Sequence, residues 1–241
     1  MIISKMLTTA ATSVLLAASF SAVAATDTVY GTEFGNGDSS YTTNILDTSV
    51  TFYAKTGESK KHLKDAVFSF KPAQDGYQGV GVSPKRGNDV TVGEIDKHEW
   101  IVANFDQSLV ISNLTLGLLF NGPEYGDNKE QASISVTYFD NTTQTFKLIA
   151  TSDTTASWSG LFGTVTNLSP AIQNLGGVWS LDNPFGDTAI KSFSLTSLKD
   201  KSDFTLYSVT AVPEPESYAM LTLGLGLLGF ATRRKSRQLY A

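Results

Sequence analysis

Polar and apolar residues alternate along most of the chain between residues 26 and 212, and a period of two is the pattern of a half-buried β-strand. Val50, Phe52 and Ala54 interleave with Ser49, Thr51 and Tyr53. Ile134, Val136 and Tyr138 share one parity, and Ser133, Ser135 and Thr137 share the other. Phe193 and Leu195 alternate with Ser192, Ser194 and Thr196, while Leu114, Leu116, Leu118 and Phe120 again fall on one parity. Phe204 to Val209 forms the last run. Gly, Asn and Asp punctuate these runs as turn residues do, and no convincing helical period appears. The pattern predicts an all-β fold of about ten to twelve short strands in a two-sheet antiparallel sandwich, jelly-roll-like in form. Lys55 to Asp65, with Lys60, Lys61, His62 and Lys64, interrupts the alternation and reads as a solvated loop.

The chain contains no cysteine, which excludes disulfide frameworks, thiolate zinc sites and cysteine nucleophiles. Stability must come from a hydrophobic core, and residues 26–212 are enough for one domain. That segment carries 13 Lys and Arg against 21 Asp and Glu, a net charge of −8, compared with −5 for the whole chain. An acidic domain argues against nucleic acid as a partner, because neutralising phosphates requires clustered cations.

The two ends differ from the middle. Lys5, an apolar stretch through Val14, Leu15, Leu16, Ala17 and Ala18, and the small-x-small triplet Ala22-Val23-Ala24 have the order of a signal peptide over residues 1–24. Cleavage is expected after Ala24 or Ala25. At the other end, Val212-Pro213-Glu214-Pro215-Glu216 precedes an uncharged stretch from Ser217 to Thr232, and Arg233, Arg234, Lys235 and Arg237 follow. A helix over those 16 uncharged residues reaches ~24 Å, short of the ~30 Å hydrocarbon core, but snorkelling arginines and local thinning close the gap. The cations mark a cytoplasmic face.

This tripartite tail resembles the PEP-CTERM sorting signal, with Pro213, Glu214, Pro215, Arg233 and Arg234 at its diagnostic positions. The resemblance implies recognition and cutting by an exosortase in the bacterial envelope. It divides the chain into a signal peptide (1–24), a β-sandwich ectodomain (26–211) and a sorting signal (212–241). The signal comprises a motif (212–216), a transmembrane helix (217–232) and a basic tail (233–241). The expected route is export, transient anchoring in the inner membrane through the C-terminal helix, then release to the cell surface or extracellular polysaccharide.

The sharpest chemical candidate is Gly93-Glu94-Ile95-Asp96-Lys97-His98-Glu99. Its Glu-x-Asp-x-x-Glu spacing resembles the catalytic signature of the family 16 glycoside hydrolases. That resemblance implies Glu94 as nucleophile, Glu99 as acid/base and Asp96 as the assisting carboxylate. Lys97 and His98 occupy positions that are normally apolar in that family. A second resemblance runs through Gly79-Val80-Gly81-Val82, Gly93 to Asp96, Glu99, and Leu116 to Asp127. It is to an uncharacterised sandwich domain often joined to PEP-CTERM tails. In such a domain Glu94 and Asp96 are candidate calcium ligands, helped by Asn88, Asp89 or Asp127, since calcium takes six to eight oxygens. The same acids also suit turn capping at a wet surface, which is the commoner role for such residues.

His62 and His98 are the only histidines, and nothing in the sequence brings them together for zinc or a catalytic triad. Trp158 and Trp179 are candidates for sugar stacking or, more commonly for large aromatics, for the core. These features favour a structural or binding protein without an assigned catalytic residue. The alternatives are a carbohydrate-binding module that uses calcium and a family 16-like hydrolase.

Overall fold

The computed structural model describes residues 25–73, 77–86, 89, 91–122, 129–169, 176–197, 202–213 and 224–226. The expected signal peptide lies outside these residues, as does the expected membrane helix apart from residues 224–226, which are helical. No helix among the described residues is long and apolar enough to cross a membrane.

The chain between is all-β, as the alternation predicts, with thirteen strands among the described residues. One ladder runs β2 (Ser40–Ile45), β3 (Thr48–Thr56), the first half of β6 (Glu99–Phe120), β12 (Ile190–Ser197), β7 (Gln131–Tyr138), β8 (Thr143–Ala150) and β9 (Ala156–Trp158). A second contains β1 (Asp27–Tyr30), β13 (Thr205–Val212), β5 (Val80–Pro84), β4 (Lys64–Phe70), the second half of β6, β11 (Gly176–Asp182) and β10 (Thr164–Asn167). Every strand pairing is antiparallel.

Two strands belong to both ladders. β4 begins against β3, where Lys55 pairs with Asp65, and ends against β5, where Phe70 pairs with Val80. β6 is longer than any strand the alternation suggests, at 22 residues. Up to Leu109 it lies between β3 and β12; from Val110 onward it lies between β13 and β11. The expected one-sided parity of Leu114, Leu116, Leu118 and Phe120 fails here, because Thr115, Gly117 and Leu119 are buried as well. On this half of the strand, side chains of both parities are buried. Leu118 has a positive φ of 56° and falls where the register with β11 shifts, so one residue is looped out of the ladder.

Aromatic side chains knit the interior. Phe34 lies 4.8 Å from Phe52 of β3 and 4.9 Å from Phe68 of β4, and Phe52 meets Phe193 of β12 at 6.3 Å between ring centroids. Burying each such ring contributes about 1.5–3 kcal/mol, the kind of term a cysteine-free domain depends on. Trp179 belongs to this core: it is fully buried and its indole N–H donates to the Leu119 carbonyl at 2.8 Å. The segment from Lys55 to Asp65 is largely the exposed connection between β3 and β4, closed by a 2.6 Å ion pair between those two end residues.

A buried carboxylate cluster in the connection between β5 and β6

The connection from β5 to β6 is held flat against the sheet instead of arching into solvent. Two glycines make this possible. A Cβ at Gly81 would collide with the backbone of Gly93 and Glu94, and one at Gly93 would collide with the backbone of Phe70 and Lys71. Gly93 also has φ +87°, a conformation that costs glycine nothing. The segment is then stitched down by Val82 N–H to Glu94 O at 2.8 Å and by Ile95 N–H to Phe204 O at 2.7 Å. Ile95 fills the core beneath.

That docking carries acids inward. Glu94, Asp96 and Glu99 are only 3%, 8% and 5% exposed. Two turns organise them. The first closes with Glu94 N–H on Thr91 O at 3.2 Å, while Asp96 Oδ2 accepts the Thr91 N–H at 3.0 Å. In the second, Glu99 N–H donates to Asp96 O at 3.2 Å and Glu99 Oε2 accepts the Asp96 N–H at 3.0 Å. His98 takes a positive φ of 74° to complete this turn and is exposed, which removes it from the cluster. His62 is exposed on the β3–β4 connection.

Glu94 is not a member of the carboxylate trio that contains Asp96. Asp96 joins Glu99 and Asp89, and one carboxylate oxygen from each of the three lies within 4.8 Å of the others. Asp89 is positioned by the Ser83 hydroxyl of β5, which donates to its Oδ2. Glu94 instead receives Lys71 Nζ on Oε1 at 2.7 Å, with the Asp203 carboxylate as its neighbouring charge. Asn88 and Asp127 lie outside the described residues. Asp203 carried no signal in the sequence, since it reaches the cluster only through the pairing of Ile95 with Phe204.

Burial governs the protonation of these groups. It pushes Glu94 up to about 8, with the Asp203 charge adding to the effect and Lys71 opposing it. Asp96 rises to about 6, mainly by burial, against the pull of the Thr91 N–H. Glu99 rises to about 9, again by burial first, against the Asp96 N–H and with the charges of Asp96, Asp89 and Asp203 adding. The turn bonds use one oxygen each of Asp96 and Glu99, Ser83 uses one of Asp89, and Lys71 uses one of Glu94. Asp89 Oδ1 and Asp96 Oδ1 are buried with no hydrogen-bond partner among the described residues, as is Glu94 Oε2. A buried carboxylate oxygen without a donor is costly, and either protonation or a bound cation relieves that cost.

No curated protein and no solved structure matches the chain. Residues 211–235 match the PEP-CTERM protein-sorting motif, so the last residues of β13 run directly into a signal that implies an exported protein recognised by an exosortase.

Proposed function

We propose that this protein is a structural or binding component of the cell surface or extracellular polysaccharide, released there after exosortase processing. In this reading the two ladders face one another as a jelly-roll-like sandwich, and a calcium ion held by Asp89, Asp96 and Glu99 braces the β5–β6 connection. The observation that carries the calcium reading is the pair of buried, unpartnered oxygens, Asp89 Oδ1 and Asp96 Oδ1, within the carboxylate trio.

The chemistry of the donors supports calcium over other ions. Oxygens bound at ~2.4 Å to one calcium lie no more than ~4.8 Å apart, a span that these three residues satisfy. All three donors are hard carboxylates, which suit calcium better than zinc or copper. Hydrolysis receives less support from the same residues. A retaining glycosidase presents two carboxyls to a sugar across a cleft, whereas Glu94 and Glu99 are packed into the interior.

The test is thermal unfolding of the full chain in detergent, stripped with chelator and then titrated with calcium or with sodium chloride at equal ionic strength. Calcium at 100 times its dissociation constant is expected to add about 2.7 kcal/mol by mass action, visible as a rise in Tm. An unchanged Tm in millimolar calcium would leave the acids as turn caps only.

A further inference from the structure

At the far edge of the first ladder, a cavity of about 280 Å³ opens between three segments. These are the β7–β8 hairpin, the loop after β9 and the turn before β12. Its chemistry is divided. Phe139, Leu161 and Phe162 are 60%, 96% and 58% exposed, which is unusual for large apolar side chains gathered at one place. Beside them stand the Tyr138 hydroxyl, which donates to Gln144 Oε1 at 3.3 Å, and the side chains of Asp140, Thr142 and Thr188.

The apolar part is held in place. Phe146 and Phe185 lie 5.8 Å apart at its base, and Trp158 packs on Phe146 at 5.3 Å. The Trp158 indole N–H donates to Phe162 O at 2.8 Å, which fixes the loop carrying Leu161 and Phe162. Gly186, at φ +68°, allows the Phe162 ring to lie close against the turn; a Cβ there would sit 3.0 Å from the ring. Trp158 therefore acts behind the surface, as a support.

We propose that this groove binds a neutral sugar unit of a longer glycan chain. It thereby names the site for the polysaccharide-binding part of the function proposed above, and rests on that part alone. A pyranose ring has an apolar C–H face and a rim of hydroxyls, and the groove offers exposed aromatic and aliphatic surface beside amide, hydroxyl and carboxylate groups. The volume falls just below the ~300–1,000 Å³ range of drug-sized ligand clefts, which fits one ring-sized unit better than a folded partner. Charge narrows the class. Asp140 is held below the usual carboxylate range by two bonds from Thr142, at 2.7 and 2.9 Å, so the groove keeps a negative charge. The nearby Lys191 ammonium is engaged by Asn141 Oδ1 at 3.0 Å. A uronate would meet that carboxylate; an uncharged hexose gains an acceptor for its hydroxyls.

Affinity electrophoresis of the full chain in detergent would test this, at constant calcium, against neutral glucan, galactan and mannan and against a polyuronate. Phe139→Ala and Leu161→Ser alter exposed side chains, and an unchanged Tm would confirm that each variant remains folded. Retardation by at least one neutral polymer is expected, weakened about tenfold or more in each variant, as for loss of a central aromatic or aliphatic anchor. Retardation that persists in both variants would overturn the groove while leaving a polysaccharide-binding protein. Tighter binding of the polyuronate would overturn the assignment to neutral sugars. The absence of binding to any polymer would overturn the groove and the polysaccharide reading together, whatever calcium does to the melting temperature.

Discussion

Lys71 Nζ sits 2.7 Å from Glu94 Oε1, yet Glu94 is pushed up to about 8, so burial and the neighbouring Asp203 outweigh the ion pair. Glu94→Gln is therefore expected to be nearly neutral at pH 7, since the amide mimics the protonated acid. Lys71→Met removes a donor from a buried acceptor and should destabilise by about 1–3 kcal/mol, towards the low end because the lysine is partly exposed. Urea denaturation of both variants checks this ranking, and the opposite order would show that the ion pair dominates.

The ion-free protein should lose stability as pH rises. Glu94 and Glu99 have folded values near 8 and 9 against 4.5 for the free side chain, and Asp96 lies near 6 against 3.8. Between those limits the folded chain holds protons that the unfolded chain has released, so stability falls with rising pH. The stabilising contribution is fully present below about 4 and is lost progressively up to about 9. Melting curves in chelator across pH 5 to 9 would show the decline. A Tm that rises across this window would contradict the assigned burial.

The calcium response should be sensitive to some acids and indifferent to another. Asp96→Asn and Glu99→Gln are expected to blunt the calcium-induced rise in Tm, because each withdraws a charged ligand from the trio. Glu94→Gln should leave it largely intact. The measurement is the calcium-dependent Tm difference for each variant, and loss of the response in Glu94→Gln alone would move the ion to the other side of the connection.

Trp179→Ala should cost about 3–5 kcal/mol, the usual range for removing a large buried aromatic, with the Leu119 carbonyl left unpaired in addition. Were this residue a sugar platform, the substitution would change binding and leave the urea midpoint alone.

Replacing Pro213, Glu214 and Pro215 with alanines is expected to leave an uncut, membrane-retained protein. Recognition should need the stiff, extended motif, whereas the apolar stretch and arginines suffice for retention. Mass spectrometry and fractionation of the mutant decide this, and a normally processed, released product would contradict it.

Much of the fold was legible because alternation is a direct trace of one buried face. Val50, Phe52 and Ala54, like Ile134 and Val136, are buried as that pattern requires. The rule fails in Leu114 to Leu119, and again in β12, where Ser194 and Thr196 on the polar parity are buried alongside Phe193 and Leu195. The carboxylate cluster was half legible. In a regular strand Glu94 and Asp96 would share a face, but this segment is built from turns, with Gly93 and His98 at positive φ, so the period of two does not apply. Asp89 was one of three possible helpers on sequence grounds; it joins the trio and is held by the Ser83 hydroxyl, while Asn88 and Asp127 lie outside the described residues. The exposed trio had no signal, since Phe139 comes from the β7–β8 hairpin and Leu161 and Phe162 from the loop after β9.

Asp27 of β1 pairs with Ala211 of β13, so the first and last strands of the domain are neighbours in the sheet. β13 also borders the second half of β6, so it lies between the first strand and a strand from the middle of the chain. A chain crossing a membrane N-terminus first would deliver its partners for β13 long before β13 itself. The sheet can close only once Val212 has emerged, when the sorting motif is the next segment to follow. In such an order, completion of the sheet and arrival of the motif would coincide.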